Sequence, residues 1–352
     1  MKTLRILFAA AALLTACHPQ IITPDPDPDP EETEQTSFEL GADLGWITEM
    51  ESKGYKFYNE SGAEKECTAL MKDLGCTAIR HRVWVNPSDG WCNAQDLLTK
   101  AKRVRDLGLS LMVDFHYADS WADPGKQPVP SAWADYDAGK MADAVASHTT
   151  TVLKLLKDND IDVKWVQVGN EVNTGMLWPL GKVSGSDAAN FVRFLNAGYA
   201  AAKAVYPDVQ VILHHSNAQD FSSCKWFYDL VDAQGGKFDI IGLSLYPSYW
   251  SNGAYPDWTP YCRSAVSNVQ ALHERYSRPV TLVEFGMPAS EPEKASEALQ
   301  YIIDGTRDFD WFGGVFYWEP ESEHSRNGYD YGAFSGGKAT AALDPFKKFS
   351  KK

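Results

Sequence analysis

The chain has 352 residues, 44% of them hydrophobic and 12% aromatic, and its 33 Lys and Arg against 47 Asp and Glu give a formal net charge of −14. That acidic balance, with no basic stripe, excludes a nucleic-acid partner gripped through its phosphates. The length exceeds what one β-sandwich needs and suits one α/β barrel, and no segment beyond the N-terminus is long and apolar enough to span a bilayer.

In chain order, Lys2 and Arg5 precede an apolar stretch from Ile6 to Leu14, which ends in Leu14-Thr-Ala-Cys17. The stretch is too short for a membrane span and has the form of a secretory signal. Leu14-Thr-Ala-Cys17 resembles a bacterial lipoprotein cleavage box, which implies cleavage after residue 16 and lipid on the Cys17 thiol. The alternative is an ordinary signal peptide with a chance cysteine. Residues 17–37 read as a tether: Pro24-Asp-Pro-Asp-Pro-Asp-Pro30 cannot form a helix because proline lacks the N–H and fixes φ. Asp25, Asp27, Asp29, Glu31, Glu32 and Glu34 carry six of the formal charges, so the tether repels itself and extends about 3 Å per residue. Residues 38–352 then form one domain.

Within it, apolar β-branched runs predict strands at 38–44, 77–84, 109–115, 164–170, 209–214, 238–245, 279–284 and 313–318. Helical patterns lie near 62–74, 94–107, 137–158, 187–205, 263–276 and 293–305, and Ser222 to Ala233 supplies the helix after the fifth strand. Gly75 and Gly108 stand just past helices, where a left-handed cap is wanted, and Ser186 reads as an N-cap. Eight strands alternating with helices predict an α/β chain with a parallel sheet, closed as a single (β/α)₈ TIM barrel. An open doubly wound sheet is the alternative, but no Gly-x-Gly-x-x-Gly turn follows the first strand. Five cysteines follow Cys17, an odd number with no Cys-x-x-Cys, and read mostly as buried thiols.

Polar and aromatic residues cluster at the strand ends: Asp43, Arg82 and Trp84, His116, Glu171, His214 and His215, Tyr246, Glu284 and Trp318. Barrel enzymes keep their active sites at that rim. Glu171 closes Lys164-Trp-Val-Gln-Val-Gly-Asn-Glu171, and Glu284 closes Pro279-Val-Thr-Leu-Val-Glu284. An ionised acid after an apolar run is costly unless paired. If the barrel closes, the loops after strands four and seven face each other across its mouth. Two carboxyls about 5 Å apart are what a retaining glycosidase needs. Their environments must differ, and an arginine is the natural partner of the acid that stays ionised. Arg80 and Arg82 alternate onto one face of strand two, and one of them, Arg82 ahead of Arg80, is expected to orient Glu284. A structural ion pair is the other use for these arginines. Glu319 is the rival acid, which strand alternation is expected to turn away from the side of Trp318.

Val166-Gln-Val-Gly-Asn-Glu-Val172 followed by Gly175-Met-Leu-Trp-Pro179 resembles the acid/base motif of the glycoside hydrolase family 53 endo-β-1,4-galactanases. So do Gly41-Ala-Asp43, Arg80-His-Arg-Val-Trp-Val-Asn-Pro87, Asp114-Phe-His-Tyr117 with Trp121-Ala-Asp-Pro124, Gln127 and Trp133, Phe238-Asp-Ile-Ile-Gly-Leu-Ser244 with Tyr246-Pro247, and Gly314-Val-Phe-Tyr-Trp-Glu-Pro320. These motifs run in order through nearly the whole mature chain. The resemblance implies acid/base work for Glu171 and nucleophilic attack by Glu284 on β-1,4-galactan, the backbone of type I arabinogalactan in pectin. It assigns Asn170 to the sugar hydroxyl beside the reacting carbon, Tyr246 to the neighbourhood of the nucleophile and Trp318 to an aromatic floor. His116 and either His214 or His215 fit hydroxyl contacts, with a satisfied core group as the other reading. Asp43 reads as a structural or substrate-binding carboxylate, and Asp114 as a support behind the site. Trp84, Trp121, Trp178 and Trp250 suit the apolar faces of galactose, or ordinary packing; Trp178 and Trp250, in loops, lean to substrate.

The chain departs from the family at Glu284-Phe-Gly-Met-Pro288 and at Ser244-Leu-Tyr246, where a double tyrosine is usual. Both departures bear on subsites. No cofactor is required by this chemistry. Some bacterial relatives hold calcium in an Asp-rich loop after strand seven; here Ala289-Ser-Glu-Pro-Glu-Lys294 has no Asp-x-Asp, so that site is expected to be absent or altered, with Glu321, Glu323 and Asp330 as the acids left for a different structural calcium site. No zinc spacing is present. The alternatives to a galactanase are the same chemistry on mannan or xylan, or a surface glycan-binding lipoprotein without turnover. The expected partners are the polysaccharide and, through the lipid anchor, a membrane, with the outer membrane or cell surface as the location.

Overall fold

The computed structural model of the protein describes residues 37–248 and 257–349. Its centre is a closed barrel of eight parallel strands: β1 (Glu39–Asp43), β2 (Ala78–Val83), β3 (Ser110–Phe115), β4 (Trp165–Val168), β5 (Gln210–His215), β6 (Ile240–Leu245), β7 (Val280–Phe285) and β8 (Phe312–Trp318). β1 pairs with both β2 and β8, and this closes the ring. The predicted strands agree within two residues, which is the usual uncertainty of an element end.

Helices cover the outside: α1 (Ile47–Ser52), α2 (Cys67–Asp73), α3 (Ala94–Asp106), α4 (Ala138–Lys157), α5 (Ala189–Val205), α6 (Phe221–Ala233), α7 (Thr259–Tyr276), α8 (Pro292–Thr306), and after the last barrel strand α9 (His324–Asn327) and α10 (Asp344–Phe349). Their starts are chemically marked. Asn93 accepts from the N–H groups of Gln95 and Asp96, Asp137 from Lys140, and Asp220 from Ser223. Gly75 and Gly108 do adopt positive φ, at 105° and 67°, just past α2 and α3. Two expectations shift. Glu66 caps α2, so that helix is shorter than 62–74. α5 begins after Ala188 with no side-chain cap, and Ser186 does not serve as one.

The barrel interior is built in layers, because every second strand residue points inward. Ala78, Met112, Trp165, Ile212, Ile240, Val283 and Phe316 form a separate apolar cluster inside it. Gly41 makes room for it, since a side chain there would collide with the Phe316 ring. Two residues further along the strands stand Arg80, Asp114, Gln167 and His214, all buried. The interior thus turns from apolar to polar toward the C-terminal strand ends. The larger core lies between strands and helices, and all five cysteines after Cys17 are buried free thiols. No helix among the described residues is long and apolar enough to cross a membrane. Cys17 and the tether up to residue 36 lie outside the described residues.

Candidate active site

Arg80 is 1% exposed and sits at the middle of the polar layer. Its Nη1 reaches Asp43 Oδ2 at 2.5 Å and Glu284 Oε1 at 3.0 Å. Its Nη2 reaches Asp114 Oδ2 at 2.8 Å and donates to Asn170 Oδ1 at 3.0 Å and Gln167 Oε1 at 3.2 Å. One guanidinium fork therefore joins β1, β3, β7 and the β4 end. A buried charge is tolerable only when so paired. The arginine that orients Glu284 is Arg80, which corrects the expectation for Arg82. Two strand positions further on, the Arg82 side chain is turned to the rim. There it pairs with Glu319 and lies 4.4 Å from the Trp121 ring centroid, 5.0 Å from Trp46 and 5.3 Å from Trp84.

Glu284 owes its direction to a bulge. Leu243 pairs with Leu282 but Ser244 with Glu284, while Leu282 pairs with Val315 and Phe285 with Tyr317. β7 thus carries one extra residue between 282 and 285. In a regular strand Val283 and Glu284 would face opposite sides. Here Val283 belongs to the interior cluster and Glu284 still meets Arg80 inside, as a bulge permits. Tyr246 O–H donates to the other carboxyl oxygen, Oε2, at 2.7 Å. The phenol keeps its proton, because burial and then the Glu284 charge push its pKa well up.

Glu171 follows β4 by three residues and has φ 46°, a left-handed conformation that a non-glycine residue adopts only at some cost. The side chain is half-buried, and Ser244 Oγ donates to its Oε1 at 2.8 Å. Burial, then the charge of Glu284, pushes its pKa up to about 8, against smaller opposing effects of Ser244 and Arg80. Glu284 also ends above its ordinary value, because burial outweighs the downward pull of Arg80 and the Tyr246 hydroxyl. Glu171 is accordingly the member of the pair that holds the proton near neutral pH, and Glu284 the one matched to a cation.

Around the pair, Asp114 ends below its ordinary range: burial raises it, but Arg80 and His116 outweigh burial. Asp43 goes well up, because burial exceeds the pull of Arg80. His116 Nε2 meets Asp114 Oδ2 at 2.9 Å, and its Nδ1 accepts from Ala122 N at 3.4 Å, which ties the following loop to the site. Asn170 donates to Ala122 O at 2.9 Å, and Gln127 Nε2 donates to Asn170 O at 2.8 Å. The asparagine amide is thus set before any sugar arrives.

Trp84, Trp121 and Trp318 form one wall with Trp46 and Tyr329. Trp46 stands 5.4 Å from both Trp121 and Trp318, and Tyr329 stands 4.7 Å from Trp318. Trp178, on the loop after β4, is half-buried; its indole donates to Thr174 O at 3.1 Å and lies 4.3 Å from the Lys182 ammonium. Its backbone N–H donates to Gln127 O at 2.8 Å, and Gln127 in turn holds Asn170, so Trp178 is linked to the site through the loop.

His215 is a second correction. It is fully buried outside the barrel against Phe227 and Tyr228 of α6, and Nε2 meets Ser223 Oγ at 3.1 Å. Alternation puts its neighbour His214 inside instead. Glu319 is fully buried and accepts from Gly45 N at 3.0 Å and Trp46 N at 3.2 Å besides Arg82. A side chain at Gly45 would collide with Arg82, so the glycine is needed for this close approach. Glu319 is therefore sequestered at the rim between β1 and β2. Trp250 lies outside the described residues. Sequence reasoning missed Gln167, Ser244, Trp46 and Tyr329. The first shares the Trp165 face by period two, whereas Tyr329 comes from a distant loop with no local signal. Among the described residues no group of His, Cys, Asp or Glu is arranged to hold a metal ion.

Residues 39–310 match the sequence model of glycosyl hydrolase family 53. A protein of Aspergillus terreus named as a probable arabinogalactan endo-β-1,4-galactanase A is 33% identical over 304 residues, covering 80% of this chain and 84% of that one. The arabinogalactan endo-β-1,4-galactanase A of Emericella nidulans is 33% identical over 302 residues, with the same coverage of 80% and 84%. Among solved structures, a fungal β-1,4-galactanase matches with a TM-score of 0.79 at 27% identity, covering 89% of this chain and 99% of that chain. With a family match over most of the folded chain and relatives of this identity and coverage, the chain belongs to glycosyl hydrolase family 53.

Proposed function

We propose that this protein is a retaining endo-β-1,4-galactanase acting on galactan and type I arabinogalactan. The observation that carries the reading is the unequal setting of two glutamates at one barrel mouth. Glu284 is held by Arg80 at 3.0 Å and Tyr246 at 2.7 Å, while Glu171 has no cation at its carboxyl among the described residues and its pKa is pushed up to about 8. Environments that push two carboxyls apart mark an acid and a nucleophile.

In the first step Glu284 attacks the anomeric carbon while Glu171 gives its proton to the glycosidic oxygen. The C–O bond to the leaving sugar breaks, and a galactosyl ester forms on Glu284. In the second step the ionised Glu171 takes a proton from water, whose oxygen attacks the same carbon and releases Glu284. Two inversions give retention. The aromatic wall offers apolar faces for galactose rings, and Asn170 and His116 offer polar contacts at its edge. The steps need no cofactor. The family relatives named for β-1,4-galactan support this substrate over mannan or xylan.

The lipoprotein box at Leu14-Thr-Ala-Cys17 and the acidic tether behind it support a lipid-anchored protein held off the membrane, at the outer membrane or cell surface. The test of the activity is product analysis on linear β-1,4-galactan, with mannan and xylan in parallel. Short galacto-oligosaccharides from galactan alone are expected, with no turnover in Glu284→Ala. Release from mannan or xylan instead discards the substrate, and unchanged turnover in Glu284→Ala discards the nucleophile.

A further inference from the structure

Glu171 is connected to itself through two other side chains. Its backbone N–H points at His214 Nδ1 at 3.2 Å, and Gln167 Nε2 points at the same nitrogen at 3.0 Å. A backbone N–H can only donate, so Nδ1 is the bare nitrogen; Asn170 Oδ1, 3.2 Å from the same nitrogen, takes its hydrogen from Arg80 Nη2 at 3.0 Å instead. His214 is fully buried, and burial and then Arg80 push its pKa well down, so the ring is neutral and its one hydrogen is on Nε2. That hydrogen goes to Ser244 Oγ, 2.7 Å away, and the serine hydroxyl then has one direction left for its own hydrogen, toward Glu171 Oε1 at 2.8 Å. Ser244 is fully buried as well, so water does not compete for either bond.

We infer that Ser244 and His214 form a one-way hydrogen-bond ring that makes Glu171 Oε1 an acceptor only and places the acidic proton on Oε2. This rests on the reading of Glu171 as the acid/base residue. Among the described residues the carboxyl is bonded through Oε1, and no group hydrogen-bonds Oε2. The ring also holds the carboxyl rotamer, since it begins on the backbone of the residue whose side chain it ends on. When Oε2 gives its proton to the leaving oxygen, the Ser244 hydroxyl steadies the carboxylate left behind. In the second step it keeps the same oxygen free to take a proton from water. Ser244 and His214 are positioning residues; neither is given a contact with the sugar. The β7 bulge contributes by bringing Ser244 level with Glu284, so one short stretch of β6 stands between the two acids.

The charged and titratable groups acting on Glu171 are Glu284 of β7, Arg80 of β2 and Asp123 of the loop after β3, beside the neutral His214 and the protonated Tyr246 phenol at the end of β6. Removing Ser244 alone leaves all of these in place. A hydrogen bond to a charged group corresponds to about one pH unit or more. The experiment is kcat/KM on linear β-1,4-galactan against pH, a profile that reports free-enzyme groups. It compares the wild type, Ser244→Ala, Ser244→Thr and Glu171→Gln. The wild type should lose activity on a basic limb near pH 8. Ser244→Ala should move that limb up by about one unit and lower kcat about tenfold with KM unchanged, while Ser244→Thr, which keeps a hydroxyl, restores the wild-type limb. Glu171→Gln should remove the limb altogether. If Ser244→Ala lowers kcat equally at every pH with the limb in place, the ring is overturned and the acid/base reading stands. If Glu171→Gln keeps both the limb and its kcat, the acid/base reading itself fails, and the ring with it.

Discussion

Arg80→Lys keeps the positive charge and removes the fork. The guanidinium serves Asp43 and Glu284 through Nη1, and Asp114, Gln167 and Asn170 through Nη2. A single ammonium cannot hold both sides at once, so at least one carboxylate and one amide are left without their donor. A bond to a charged group is worth about 1.5–3 kcal/mol, and breaking a buried ion pair costs about 3–5 kcal/mol. Arg80 and its acid partners are buried, so solvent screening does little to reduce these figures. Unfolding in urea should accordingly show a drop in stability of about 3–5 kcal/mol. If the bond that breaks is the one to Glu284, kcat/KM for galactan falls roughly tenfold to 150-fold, at one decade per about 1.36 kcal/mol. The control is Arg82→Lys. Its ammonium can still meet Glu319 at the rim, so kcat should stay within about threefold, while KM rises as the Trp46, Trp84 and Trp121 wall loosens. Reducing-end assays of both variants decide the matter. A normal kcat in Arg80→Lys together with a collapsed kcat in Arg82→Lys would refute the assignment of Arg80 to the nucleophile.

His215→Asn should leave kcat and KM unchanged and lower stability by about 1–3 kcal/mol, since the ring is buried against α6 and bonded to Ser223; a changed KM would place it in the site after all. Glu321 is fully buried, and burial followed by the Glu319 charge pushes its pKa well up. Its folded state then keeps a proton that the unfolded chain has released, so this group's contribution to stability falls as pH rises above the ordinary glutamate value. Glu321→Gln does not titrate; its stability relative to wild type should increase from about pH 5 upward in urea melts, and a difference independent of pH would contradict the sign. Cys17→Ser should abolish labelling by radioactive palmitate and move the protein out of the membrane fraction; labelling that persists removes the lipoprotein reading.

Much of the barrel was legible because its signals are local. Val211 to Leu213 or Val166 to Val168 declare strands by composition, and Gly75 and Gly108 mark helix ends by the φ they alone accept easily. The two glutamates stood out for a similar reason, as acids ending apolar runs. The roles of adjacent residues were less legible. His214 and His215 are chemically identical, and strand parity separates them only once the register of β5 is known. Arg80 and Arg82 share a face, so alternation cannot say which depth meets Glu284.

What the sequence by itself determined is the alternation of strands and helices, the positions of the strand ends and the set of polar residues that gather there. These follow from side-chain period, capping chemistry and the cost of burying charge, all of which act over a few neighbouring residues. Only the tertiary structure decided which groups meet. Closure of β1 onto β8 sets the depth of every inward side chain, so that Arg80 reaches Asp43 and Glu284 across the ring. One extra residue in β7 turns Glu284 inward beside Val283 and sets it level with Ser244. The physical reason is that contact across a barrel depends on register between strands far apart in the chain, and no local pattern carries that register.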